Sequence, residues 1–393
     1  MKPKPLRRAQ GPLSFPRAGA EPGSLACLHP FGNERLNSRT GVSLPEGSWA
    51  PLWKSPLNPT LHPASLLWAG ERILVRGRDL WQLFDSTGKG VATERCWAGG
   101  TLLDDRRSLF YVPDADAAGL TAWRLADGKP AWTIKPYFGL EFERVFLAVR
   151  GERLVVVSVE GPLHLRSGHA PELAILEVHD LSRLDGAEAG ALVLDTRIAE
   201  SLVRSPRLLA ALQGDHLVLA APGRLFLADL ALRVRGELAA EMVPVAMSLD
   251  EAGRLYLLVE AKGRRELWLV TEQGELGLAI SLPPRFQAAF SPPAIGYGHA
   301  IHLIAADRIL AVSPRGEAVW ARSTGGPVGG VAITPEDRLL VTSGSTLLVF
   351  EPSGQVRELF AAPGEVFLTR PVLTAEGKIL LASESHLYCL GAV

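Results

Sequence analysis

The segment LLVFEPSGQVRELF, residues 347–360, runs apolar, turns on Pro352, Ser353 and Gly354, and then alternates in polarity. The same plan recurs in LWQLFDSTGKGVATERCW, LTAWRLADGKPAW, LWLVTEQGELGLAI and ILAVSPRGEAVW. Short apolar runs bounded by Gly, Pro, Asp and Ser turns read as antiparallel strands, and from Trp49 onward the chain is made of little else. The turn of each such hairpin is expected at Gly88, Gly128, Gly186, Gly236, Gly274, Gly316 and Gly354, because a tight turn needs a positive φ that only glycine adopts without cost. These glycines recur at roughly 40 residues, the period of a repeat built from four strands. Two longer intervals are explained by the loop segments EGPLHLRSGHAPE and HDLSRLDGAEAG.

Around the last complete repeat the four strands are VGGVAIT, RLLVTSG, TLLVF and QVRELF. Four antiparallel strands per repeat make the blade of a β-propeller, which hides its two faces by stacking against its neighbours. RPVLTAEGKILLASESHLYCL then supplies only three strands, which leaves an unpaired edge. The strand-like GSWAPLWKSPL, residues 47–57, precedes the first repeat and can fill that edge. The chain is therefore expected to be all-β, an eight-bladed β-propeller over residues 46–393 closed by an N-terminal strand. Seven blades remain the alternative if 140–236 is one blade with a long insertion. Residues 1–45 carry seven Lys or Arg against two acids, with many prolines and no sustained period. They are expected to form a flexible arm.

Composition narrows the partners. Of the 393 residues 47% are hydrophobic and 21% charged, a soluble globular balance with a sizeable core. The formal net charge of −1 lacks the basic excess that nucleic-acid binding draws on. Three scattered cysteines, Cys27, Cys96 and Cys389, give neither a metal spacing nor a disulfide framework. The basic N-terminus has no apolar run after it, and no stretch approaches the roughly 20 apolar residues of a membrane span. A cytoplasmic protein with no membrane span is the expectation.

The repeats resemble the pyrroloquinoline-quinone-type (PQQ-like) propellers, a family that includes quinoprotein dehydrogenases and a non-enzymatic outer-membrane assembly lipoprotein. The resemblance is carried by ILAVSPRGEAVWARSTGG with Trp320 and AWRLADGKPAW with Trp132, where a Trp follows the turn glycine by four residues. It implies that Trp132 and Trp320 dock between blades, with Trp53 in the same part on the closing strand. A quinoprotein would also need PQQ, a bound calcium ion, carboxylate and amide ligands and a catalytic Asp. No such set is gathered by the repeat register, and the vicinal cysteine pair common in those enzymes is missing. DADAAG, 114–119, lacks the acids of a calcium loop, and GYGHAI lacks the last glycine of a dinucleotide fingerprint. His164, His169 and His179 are irregularly spaced. His299 and His302 fall on a turn and a strand and face different ways. No cofactor is therefore expected.

In this family the innermost strand of each blade begins near the mouth of the central channel, often at a proline. Pro63, Pro206, Pro244, Pro293 and Pro371 hold that place, where no backbone donor is required. The residues before them, His62, Arg204 with Ser205, Val243, Ser291 and Arg370, should ring the mouth, with Arg144 joining from the third repeat. Solvent-reachable arginines there would suit an anionic small molecule or an acidic peptide. The opposing reading pairs them with Glu141, Glu143 or Glu365. The expected function is a non-enzymatic scaffold that binds a protein partner in a multi-protein assembly. The alternative is a propeller enzyme, quinoprotein or lyase-like, that uses the channel.

Overall fold

The computed structural model describes residues 38–96, 100–113, 119–134, 142–160, 173–181, 188–195, 209–271, 275–289 and 291–393, the backbone alone at 134, 142–145, 159–160, 173–175 and 188–195. Its strands form eight four-stranded antiparallel sheets, seven of them ordered as the chain runs and the eighth completed by the first strand. Blade 1, for example, takes Ser65–Ala69, Arg72–Arg76, Leu80–Asp85 and Gly90–Arg95 from the inside outward. The first strands touch their counterparts in adjacent blades and so line the centre. In blades 1 to 8 these are Ser65–Ala69, Leu102–Asp104, Phe142–Arg150, Leu209–Gln213, Val243–Leu249, Ala294–Ile295, Val328–Ile333 and Val372–Leu373.

Blade stacking explains the apolar runs. An inner or middle strand is covered on both faces by neighbouring blades, so Ser65–Ala69 and Leu339–Ser343 are buried throughout. The fourth strand meets solvent most, as in Gly90–Arg95 and Ala318–Ser323, while third strands such as Leu80–Asp85 are partly covered and alternate between buried and half-buried. Among the described residues no helix is long and apolar enough to cross a membrane.

The eighth blade closes as the sequence predicts. Val372–Leu373, Ile379–Ala382 and His386–Ala392 are completed by Trp49–Pro56, paired antiparallel from Trp49 opposite Ala392 to Pro56 opposite His386. Pro51 and Pro56 are tolerated because this strand is outermost and its free side needs no donors.

Turn glycines and tryptophans join one blade to the next. The Trp320 indole donates to the Pro352 carbonyl at 3.1 Å, and a Cβ on Gly354 would lie 2.7 Å from that ring. Trp53 repeats this across the closure, donating to Ser86 O at 3.2 Å over Gly88. Trp132 rests against Tyr111 at 5.7 Å, while its counterpart turn at Gly186 lies outside the described residues. Where no Trp is present a smaller side chain covers the glycine: Ile280 and Leu278 over Gly316, Ala92 over Gly128. Gly354 has φ +82° as well as that contact. Gly354→Ala is therefore expected to cost about 2–4 kcal/mol through strain and overpacking, read as a lower denaturant midpoint at unchanged slope. A cost below about 0.5 kcal/mol would show that the turn does not need glycine.

Two expectations are corrected. Gly236 is not a turn residue but lies within the strand Val234–Ala239, opposite Leu227. The turn comes four positions earlier, where Leu232 takes φ +62°. The Asp229 carboxylate holds it by accepting from Ala231 N at 3.0 Å and Arg233 N at 2.9 Å. The flexible arm also does not extend to residue 45. Ser38 O accepts from Ile333 N at 3.0 Å, Thr40 N donates back to Ile333 O at 2.9 Å, and Val42 and Leu44 are buried. Their apolar side chains are too few to show a period, yet enough to pack on blades 7 and 8. Gly274 lies outside the described residues.

Candidate functional site

Four antiparallel strands per blade bring the chain back to the same side of the disc each time. All eight innermost strands therefore begin on one side, the near face, and end on the other, the far face.

On the near face, the two residues before Arg370 are held by blades 7 and 8. Leu368 N donates to Ala382 O at 3.0 Å, Ala382 N donates to Thr369 Oγ1 at 3.2 Å, and Thr342 Oγ1 of blade 7 donates to Thr369 O at 2.7 Å. Gly330 of blade 7 makes room for it: a Cβ there would lie 2.6 Å from Arg370 Cα. Arg370 itself is buried, at 7% exposure, where a solvent-reachable side chain was expected. Its Nε and Nη1 have no hydrogen-bond partner among the described residues. Glu365, a carboxylate that could have paired with it, is instead held by Lys54 at 3.2 Å, Ser385 at 2.7 Å, His386 at 2.7 Å and Ser383. Burial would raise that carboxyl, but these donors outweigh it and hold the pKa at about 2.

The other ring positions fare differently. His62 is exposed before blade 1, with φ +41°, between buried Leu61 and Pro63. Ser291 is half-buried before blade 6. Arg144 lies in the first strand of blade 3, opposite Ser158, and its side chain is outside the description. Arg204, Ser205 and Pro206 lie outside the described residues, as do Glu141, His164, His169 and the 114–118 part of DADAAG. Val243 opens the first strand of blade 5, half-buried. Blades 8 and 1 are adjacent, so Arg370 and His62 precede neighbouring strands, with Ser291 two blades back.

The far face holds charged networks. Asp250, fully buried at the end of blade 5's first strand, accepts from Arg254 Nε at 2.7 Å, Arg254 N at 3.0 Å and Tyr256 OH at 3.1 Å. Burial first, and then the Asp250 charge, push the Tyr256 hydroxyl pKa well up. Blade 2 repeats the set, with Asp104 Oδ2 accepting from Arg107 at 3.0 Å and Tyr111 OH at 3.3 Å. The matching stretches LDEAGRLY and LDDRRSLFY carry the signal, which a search for chemistry passes over. Asp337 of blade 7 sits in the GYGH turn of blade 6, accepting from Tyr297 N and, at 2.8 Å, Gly298 N. That turn thus holds the chain's own carboxylate. Arg39 joins blades 5 and 6: it donates to Ile295 O at 2.8 Å and Gly296 O at 2.5 Å, pairs with Glu251, and lies over the Tyr297 ring.

His299 and His302 do face different environments. His299 Nδ1 lies 2.8 Å from Arg254 Nη2 in the far-face network, whereas His302 is buried against Trp320 at 5.7 Å. Burial pulls the His302 pKa from 6.5 down to about 4. Above pH 6.5 this ring is neutral folded or unfolded. As the pH falls from 6.5 towards 4 only the unfolded chain takes up the proton, so stability is lost in that window. Wild type should lose on the order of 2–3 kcal/mol more than His302→Leu between pH 7 and 4.5, by urea unfolding at both. Equal losses would mean the folded state protonates freely.

Among the described residues no three His, Cys, Asp or Glu side chains gather as a metal site.

No family profile and no curated protein matches the chain. Solved structures do match. BamB from Moraxella catarrhalis aligns at TM-score 0.58 and 14% identity over 87% of this chain and 99% of its own. The Dos1 propeller aligns at 0.60 and 8% identity over 88% and 95%. A streptogramin B lyase aligns at 0.45 and 9% identity over 72% and 90%, too low a score to carry an argument. The fold is an eight-bladed β-propeller, similar to those of BamB and Dos1.

Proposed function

We propose that this propeller is a non-enzymatic docking module that binds a protein partner within a larger assembly. The observation that carries the reading is how the polar groups of the far face are used. Asp104, Asp250 and Asp337 are each committed to turn donors, and Arg39 to blade carbonyls. Such groups stiffen the disc, and a stiff disc presents a surface without an ordering cost on binding. The resemblance of the repeats to a family with a non-enzymatic assembly member supports the same reading. Cys96 and Cys389 are buried free thiols, which fits a reducing compartment such as the cytoplasm.

The test is cross-linking of the tagged full chain in its native host, with the cross-linked residues mapped by mass spectrometry. Reproducible links to one partner, confined to one face of the disc, are expected. No reproducible partner, together with a melting shift on adding calcium and PQQ, would favour the enzyme reading.

A further inference from the structure

The innermost strands of blades 8, 1 and 2 begin side by side on the near face, and each start carries a buried polar side chain without a described partner. In blade 8 this is Arg370, through Nε and Nη1; in blade 1, Ser65, through Oγ; in blade 2, Thr101, through Oγ1. Arg76, opposite Ser65 in the register, brings a second buried guanidinium to the same level. Arg76 has Asp79 and Cys96 acting on it, and Glu365 is already held by Lys54, Ser383, Ser385 and His386, so the arc's sign is set by Arg370.

A buried guanidinium calls for acceptors for its N–H groups. A buried guanidinium whose Nε and Nη1 find no acceptor among the described residues asks for one from elsewhere. Access comes from blade 7. Val328, Gly329 and Gly330 remain partly exposed where the rest of that strand is buried, and Gly330 lies directly against Arg370. Guanidinium N–H groups match the spacing of carboxylate oxygens, which the spherical charge of a lysine would not.

We propose that Arg370 is the receptor for an oxyanion at the near-face mouth of the channel, namely the carboxylate of an acidic segment supplied by the docked partner. The inference rests on the docking reading above and gives it a contact residue. Ser65 and Thr101 mark the arc along which the segment lies.

The test uses the full chain in low-salt buffer, with hexaglutamate and inorganic phosphate as separate probes. Wild type is compared with Arg370→Met and with Arg357→Met, an exposed outer-strand control that removes one positive charge. Hexaglutamate should raise the melting temperature of wild type and of the control in a saturable way. Its apparent affinity should fall at least tenfold in Arg370→Met. Without any probe, Arg370→Met should melt no lower than wild type, since it removes a buried charge rather than an ion pair. An Arg370→Met variant that melts far lower in every buffer, beside a wild type that ignores both probes, would make Arg370 structural and overturn the proposal. A response to phosphate but not to hexaglutamate means binding of a free oxyanion only and overturns the acidic segment. Partner cross-links unchanged by Arg370→Met would remove this contact while leaving the docking reading intact. Arg370-dependent hexaglutamate binding without any cellular partner would do the reverse.

Discussion

A chain beginning at Leu57 is expected to aggregate instead of folding to a soluble monomer, while one beginning at Ser38 should melt within a degree or two of the full chain. Removing Trp49–Pro56 strips blade 8 of its outermost strand and leaves His386–Ala392 with a free, largely apolar edge. It also removes buried Trp49, the Trp53 cover over Gly88, and the Lys54 link to Glu365. A ring that cannot close exposes blade faces made to be covered. A third truncation, beginning at Glu46, should fall between the two. It keeps the closing strand but loses Arg39, Val42 and Leu44, which together anchor residues 38–45 to blades 5 to 8. Size-exclusion chromatography and thermal melts distinguish the three. If the chains beginning at 38 and 57 behave alike, the strand is not what closes the ring. A synthetic peptide covering 46–57, added to the shortest chain during refolding, should restore monomer.

Asp250→Ala is expected to cost about 3–5 kcal/mol, the range for removing one partner of a buried charged network. The carboxylate is fully buried, and it serves both Arg254 and the Tyr256 hydroxyl. With it gone, Tyr256 OH loses its acceptor inside the protein. Adding Tyr256→Phe should recover part of the loss, on the order of 1 kcal/mol, because the stranded donor disappears with it. Denaturant unfolding of the two single variants and the double variant measures this coupling. A cost below 1 kcal/mol for Asp250→Ala would place the network among ordinary surface ion pairs.

Much of the architecture was legible in the one-dimensional pattern. Unbroken apolar runs in inner strands such as Ser65–Ala69 and Leu339–Ser343, beside the more polar outer strands, follow from blades covered on both faces. The unfinished C-terminal repeat and the apolar GSWAPLWKSPL together pointed to the closure now seen between Trp49–Pro56 and His386–Ala392. The failures have equally local causes. Gly236 has the right residue type at nearly the right spacing, but Asp229 can hold a turn through its side chain and force Leu232 into a glycine-like conformation. Sequence spacing cannot distinguish these two ways of making the same bend.

What only the tertiary structure decided is which charged groups are already spoken for. Asp337 and the GYGH turn are about forty residues apart and meet only because blades 6 and 7 are adjacent. Arg39 reads as one more basic residue of a Pro-rich arm until the ring places Ile295, Gly296 and Glu251 around it. At Arg370 the sequence determined the place, one residue before the proline that opens an innermost strand. The fold decided its state: buried against Gly330, with Glu365 taken by other donors. Local pattern sets strands and turns, because these depend on neighbours in the chain. Burial and pairing of charge depend on neighbours in space, which the closed ring alone provides.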